Sequence, residues 1–160
     1  MSDRVQPWQR EEPFPIETAA VATASVIEIG DLVATASSGG APSSADDETW
    51  VTNLVTTQEN FHDKFMGVAR DRSRNGDVAS IVANTTGVYE FDCAAATFEV
   101  GDLVGAAKAS GNALENQKVA AVATANLAVG RVAKRYGSNT TTVLVSVVST
   151  RVHGGPQAAA

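Results

Sequence analysis

The sequence predicts a mainly β fold, a compact β-barrel or β-sandwich of two related units, with one short helix inserted at about residues 45–62 and extended terminal arms. Three observations predict it. Short runs of Val, Ile, Thr and Ala recur between Gly, Asn and Asp turn signals, at the spacing of an all-β barrel or sandwich. One block occurs twice, as Val26-Ile27-Glu28-Ile29-Gly30-Asp31-Leu32-Val33 and as Thr97-Phe98-Glu99-Val100-Gly101-Asp102-Leu103-Val104, with the Gly-Asp pairs 71 residues apart. A single segment, Ser44 to His62, breaks the β pattern by placing Trp50, Leu54, Thr57 and Phe61 at helical spacing.

In chain order, residues 1–17 read as an extended arm. Pro7, Pro13 and Pro15 oppose regular pairing, and Trp8, Phe14 and Ile16 are isolated apolar residues among charges. A single β-rich domain follows over 18–152. Its candidate strands are Ser25–Ile29, Leu32–Ala36, Phe65–Arg70, Val78–Ala83, Gly87–Asp92, Thr97–Val100, Leu103–Ala107, Val119–Ala123, Leu127–Ala133 and Thr141–Ser149. The helix has Asp46, Asp47 and Glu48 in its expected first turn, where the helix dipole favours acids. The internal repeat spans about 26–92 and 97–149, and residues 153–160 read as a loose tail.

Within the repeat, Gly30 and Gly101 suit a backbone with positive φ. Asp31 and Asp102 are expected to accept a hydrogen bond from the backbone two residues on, as structural turns. Calcium binding is the alternative role, but neither Asp has the surrounding oxygen ligands that a calcium cage needs. Leu32 and Leu103, equivalent after the turns, are both expected in the core.

The composition limits the chemistry. Twelve Lys and Arg against eighteen Asp and Glu give a net charge of −6 and a pI near 4.8, which argues against nucleic acid as a partner. One cysteine, Cys93, allows no internal disulfide, and with two histidines it cannot supply a four-ligand zinc site. No apolar run is long enough for a membrane span, and the N-terminus lacks the order of a signal peptide, so the expectation is a soluble protein made in the cytoplasm. No cofactor motif, nucleophile elbow or metalloprotease pair occurs. His62 has no nucleophile beside it, Cys93 reads as a small buried hydrophobe, and His153 reads as solvated, so no catalytic residue, cofactor or metal is expected. The cations Arg70, Arg72 and Arg74, with Lys134-Arg135 at the matching point of the second unit, admit two readings. They are solvated hairpin loops that guard β edges, or a cationic contact with an acidic protein surface.

The order of these pieces resembles the capsid cement, or head-decoration, proteins of tailed bacteriophages. The residues that carry the resemblance are Gly30-Asp31-Leu32-Val33, the passage Gln58-Glu59-Asn60-Phe61-His62-Asp63-Lys64-Phe65-Met66-Gly67-Val68-Ala69, Asn75-Gly76-Asp77-Val78, Thr85-Thr86-Gly87-Val88-Tyr89-Glu90-Phe91, Val100-Gly101-Asp102-Leu103-Val104 and Val129-Gly130-Arg131-Val132-Ala133. It covers about residues 24–149. It implies a non-enzymatic structural protein on the outer surface of the virion, made in the host cytoplasm. Its partners would be the major capsid protein, whose subunits it bridges, and other copies of itself in a homotrimer. On that reading Trp8, Phe14 and Ile16 of the arm and Arg70, Arg72 and Arg74 of the loop are the interface residues. Two other classes compete. A carbohydrate-binding or adhesive β module would use Trp8 and Trp50 as stacking platforms, although Trp50 falls on the apolar helix stripe. A biotinyl-like barrel lacks its Met-Lys-Met hairpin, and Lys108 and Lys118 stand in no such context.

Overall fold

A computed structural model describes residues 16–20, 26–36, 39–42, 53–77 and 79–158. The chain is mainly β. Strands β1 (Ile16–Ala20), β2 (Leu32–Ala36), β3 (Gly39–Pro42), β4 (Phe65–Ala69) and β5 (Ser80–Asn84) form a sheet of order β1-β5-β4-β2-β3. Strands β6 (Thr86–Phe98), β7 (Leu103–Lys108), β8 (Leu114–Ala121), β9 (Gly130–Val132) and β10 (Tyr136–Val148) form a closed barrel of order β10-β6-β8-β7-β9. A helix α1 (Leu54–Lys64) precedes β4, a 3-10 turn (Ala125–Leu127) precedes β9, and a short helix α2 (Thr150–His153) follows β10.

The two halves have one topology. Traced from the third strand of each unit, the first sheet runs β3-β2-β4-β5-β1 and the barrel runs β8-β7-β9-β10-β6, so each strand has a counterpart. The registers agree: Leu32 and Val33 face Val68 and Gly67, as Leu103 and Val104 face Arg131 and Gly130. The barrel closes through a parallel contact of Asp92 and Cys93 with Lys118 and Val119, and β1 lies beside β3 in the corresponding place. The repeat therefore begins earlier than its sequence block. Thr86–Phe98 is one continuous strand that opens the second unit, where the sequence suggested two strands split between units. It pairs antiparallel with β10, as β1 does with β5.

The interiors also correspond. Ile27, Val33, Met66, Ala69, Ile81 and Ala83 form one buried cluster in the first unit. Their counterparts Phe98, Val104, Val129, Val132, Val143 and Val145 are all buried inside the barrel. The opposite face of the first sheet, with Leu32, Ala34, Phe65 and Val68, is buried too, in a continuous cluster with Phe61 of α1 and the barrel core. Alternation gives this division in β2 and β5; in β4 Phe65 and Val68 share a face three residues apart, because the pairing with β2 shifts register between Val33 and Ala34.

Several elements differ from the sequence expectation. Ile16 and Glu17, expected in the extended arm, pair instead with Asn84 and Ala83 as part of β1. Among the described residues of the strand expected at Ser25–Ile29, Ile27 makes an isolated bridge to Ser73 in place of a strand. Helix α1 begins at Leu54 after Asn53, whose side chain accepts from Thr56 N at 2.9 Å and caps it. Trp50 and the acidic trio at 46–48 lie outside the described residues. Leu103 is half-buried, whereas Leu32 is fully buried. The C-terminal segment is not loose through Gln157: Gly155 and Pro156 are buried, and a side chain at Gly155 would meet His62 Cε1 at 2.8 Å.

Candidate functional site

The repeated block builds the same turn twice. Asp31 N donates to Glu28 O at 3.1 Å and Asp102 N to Glu99 O at 3.2 Å, closing four-residue turns with Gly30 (φ 95°) and Gly101 (φ 91°) third. Only glycine takes that conformation without strain, the mark of a type II turn. Each aspartate then bonds backward: Asp31 Oδ2 accepts from Glu28 N at 2.9 Å, Asp102 Oδ2 from Glu99 N at 2.8 Å. The expectation of a bond two residues forward is corrected, because the turn brings the donor at its start beside the carboxylate at its end. Backbone bonds dock both turns in the same way, Gly30 N to Ala69 O at 2.9 Å and Gly101 N to Val132 O at 2.8 Å.

An ion pair flanks each turn. Arg72 Nε meets Glu28 Oε2 at 2.6 Å, and Arg135 Nε meets Glu99 Oε2 at 2.9 Å. The Arg72 loop is held there by reciprocal backbone bonds of 2.9 Å between Ile27 and Ser73. Arg70 and Arg74 are exposed beside it. Near the second turn, Lys134 Nζ stands 5.6 Å from the Tyr136 ring centroid, and Arg131 Nη1 donates to Gly101 O at 2.7 Å. The first turn is braced differently, by Gln117 of β8, whose Nε2 donates to Asp31 Oδ1 at 2.8 Å.

The second position of each turn carries an apolar side chain into water. Ile29 is 62% exposed and Val100 is 66% exposed. Turn chemistry asks for no apolar residue there, since that position accepts most residues. Each stands next in sequence to a glutamate paired with an arginine, Glu28 with Arg72 and Glu99 with Arg135, so each turn forms an exposed tip of one apolar side chain and one ion pair.

Groups with chemical potential elsewhere are in structural use. Buried His62 donates from Nδ1 to Ala128 O at 2.7 Å, which ties α1 to the segment after the 3-10 turn. Cys93 is buried and its Sγ donates to Thr140 O at 3.6 Å; burial, then Asp92, pushes its thiol pKa up, against a smaller opposing pull from Lys118. Such a thiol is held protonated rather than activated. His153, expected to be solvated, is exposed but bonds through Nε2 with Thr85 Oγ1 at 3.2 Å. A groove of about 170 Å³ lies between the first turn and β6, lined in part by Gly30, Tyr89, Glu90, Asp92 and Gln117. Burial raises the Tyr89 phenol, with Asn84 and Arg70 pulling the other way. Among the described residues no three His, Cys, Asp or Glu side chains are grouped to hold a metal, and no helix is long and apolar enough to cross a membrane.

Of the expected interface residues, the structure brings Arg70, Arg72 and Arg74 into one exposed loop and pairs Arg72 internally. Trp8 and Phe14 lie outside the described residues, and Ile16 sits in β1 rather than on an arm. Sequence reasoning named Gly30, Asp31, Gly101 and Asp102 as turns but missed Ile29 and Val100 between them. The signal was in the repeat itself, where an apolar residue precedes both glycines. No family model, curated protein or solved structure matches the chain.

Proposed function

We propose that this chain is a non-enzymatic structural protein that binds the outer surface of a viral capsid and stabilises it by bridging major capsid subunits. The observation that carries this reading is the pair of exposed apolar tips, each beside a glutamate–arginine pair. Apolar anchors in a charged rim are what a protein–protein contact uses, and arginine suits pairing with carboxylates on the partner. The resemblance to phage cement proteins supports the same reading. Its motifs are the two turns, the junction of α1 with β4, the Asn75-Gly76-Asp77 loop, β6 and the segment around β9, so they belong to the scaffold that presents the tips. Trp8 and Phe14 would add apolar anchors to the contact, and copies of the chain would associate as a homotrimer on the virion surface. Binding would stabilise the assembled shell by mass action, since only the assembled state offers the site.

The test uses expanded, undecorated shells assembled from the major capsid protein encoded in the same genome. Saturable co-sedimentation and a higher temperature of shell disruption are expected. Absence of co-sedimentation, together with retention on a glycan array, would replace this reading with that of a carbohydrate-binding module.

A further inference from the structure

We infer that Asn75 is a self-modifying site, where the backbone nitrogen of Gly76 attacks the side-chain amide and the asparagine becomes aspartate or isoaspartate. Asn75 and Gly76 form the middle of a turn between β4 and β5, which Asp77 N closes by donating to Arg74 O at 2.9 Å, with Gly76 at φ 88°. Of the eight asparagines in the chain, this is the one that glycine follows.

The surroundings leave the reacting groups free. Asn75 and Gly76 are both exposed, and a Cβ at Gly76 would meet nothing within 4 Å, so the approach to the nitrogen is open. Among the described residues neither the Asn75 side chain nor Gly76 N has a hydrogen-bond partner. Ring closure requires rotation about the Asn75 Cα–C bond, out of the type II turn. What opposes it is local: the closing bond, a long contact of Ser73 Oγ with Asp77 O at 3.4 Å, and the bond from Ala79 N to Asp77 Oδ1 at 2.9 Å. Buried Ser73 holds the base of the loop, while Arg74 to Asp77 are exposed and can open without disturbing the core. Other asparagines lack this combination. Asn53 caps α1, Asn126 donates to Glu59, and exposed Asn139 precedes β-branched Thr140 within β10.

The chemistry balances with water as the sole co-reactant. Gly76 N gives up its proton and bonds to Asn75 Cγ; the Cγ–Nδ2 bond breaks, and ammonia leaves with that proton, closing a succinimide. Holding nucleophile and amide in adjacent residues makes the step intramolecular. Water then opens the ring at either carbonyl carbon, giving aspartate, or isoaspartate with the backbone routed through Cβ. Either product adds one negative charge to the net −6, between Arg74 and Asp77. Isoaspartate also lengthens the turn above the Ile27–Ser73 bridge, beside the Arg72–Glu28 pair.

Ageing the full chain at physiological temperature and mildly alkaline pH, followed by isoelectric focusing and peptide mapping, tests this, with isoaspartyl methyltransferase as the probe for isoaspartate. A band more acidic by one charge should accumulate, faster as pH rises because the attacking nitrogen must be deprotonated. It should map to Asn75, isoaspartate included, with Asn139 intact. Asn75→Gln should lose the band and keep the thermal midpoint, since the side chain is exposed. Aspartate without isoaspartate at this position would mean direct hydrolysis and overturn the ring closure. Equal conversion of Asn139 would remove the role of Gly76. If Asn75 converts only when the chain is unfolded in urea, the folded turn protects it and the inference is wrong for the native protein. Absence of conversion in both states overturns it outright.

Discussion

The first unit and the barrel differ most where they are most comparable, on the face that looks away from their interiors. In the first unit that face carries Leu32, Ala34, Phe65 and Val68, all buried with Phe61 of α1. In the barrel the equivalent positions hold Leu103, Gly105, Ala128 and Arg131. The covering element explains the contrast. An eleven-residue helix crosses the first sheet through its side chains, so the sheet must offer apolar volume beneath it. The 3-10 turn of the second unit comes down to backbone contact: a Cβ at Gly105 would lie 2.4 Å from Leu127 O. One duplicated scaffold thus accepts two kinds of cover, and the residue beneath each cover records which it received.

The largest expected effect separates the two leucines that follow the Gly-Asp turns. Leu32 has no exposed surface and belongs to the continuous core, so Leu32→Ala should cost about 2–5 kcal/mol. Leu103 is half-buried, so Leu103→Ala should cost only about 1 kcal/mol. Denaturant unfolding of the two variants measures the difference. Equal losses would mean that the outward faces are packed alike, and the contrast between the units would fail.

A smaller effect tests the covers themselves. Gly105→Ala pushes a methyl group into Leu127 O and to 3.1 Å from Val122 Cγ1, which should cost about 1–3 kcal/mol. The reverse exchange, Ala34→Gly, removes one methyl group and loosens the strand, for about 1 kcal/mol. If Gly105→Ala proved neutral by thermal unfolding, the 3-10 turn would have to sit further from β7 than backbone contact.

Much of this fold was legible in local pattern. Leu32–Ala36 is a strand with the predicted ends, and β4 and β7 depart from prediction by one residue each. Thr57 and Phe61 fall on the buried helix face with Leu54 packed against the core, as their spacing implied. What was not legible depends on distant pairing. Glu115, Asn116, Gln117 and Lys118 look like a loop, yet they form half of β8, because pairing with β7 across a register shift needs only Leu114 and Val119 inside the barrel. Ala94, Ala95 and Ala96 look like a break, yet continue β6, which pairs with β10 on both sides of a register shift, at Thr86 to Asp92 and again at Ala96 and Phe98. Gly154, Gly155 and Pro156 read as a loose tail because their fit against His62 comes from a helix ninety residues earlier in the chain, a distance of about that order by sequence count. At the candidate site, the partner of Arg72 was invisible until the bridge of Ile27 with Ser73 aligned the two loops. The repeat offered the hint, since Glu99 and Arg135 stand in the same relation.

The smallest expected effect concerns the feature that the units share most closely, the ion pair at each turn. The side chains of Glu28 and Arg72 are 49% and 53% exposed, and those of Glu99 and Arg135 are 64% and 68% exposed. At such exposure water screens the attraction, and ordering two long side chains offsets part of what remains. Double-mutant cycles with Glu28→Gln and Arg72→Gln, and with Glu99→Gln and Arg135→Gln, should each return a coupling below about 1 kcal/mol that shrinks further in 1 M salt. The first pair should be the stronger, being shorter and less exposed. A coupling of several kcal/mol at either turn would make the pair a principal support of the fold. Small couplings at both would leave the fold resting on the backbone bonds and the aspartates, with the arginines acting on the shape and charge of the surface that the tips present.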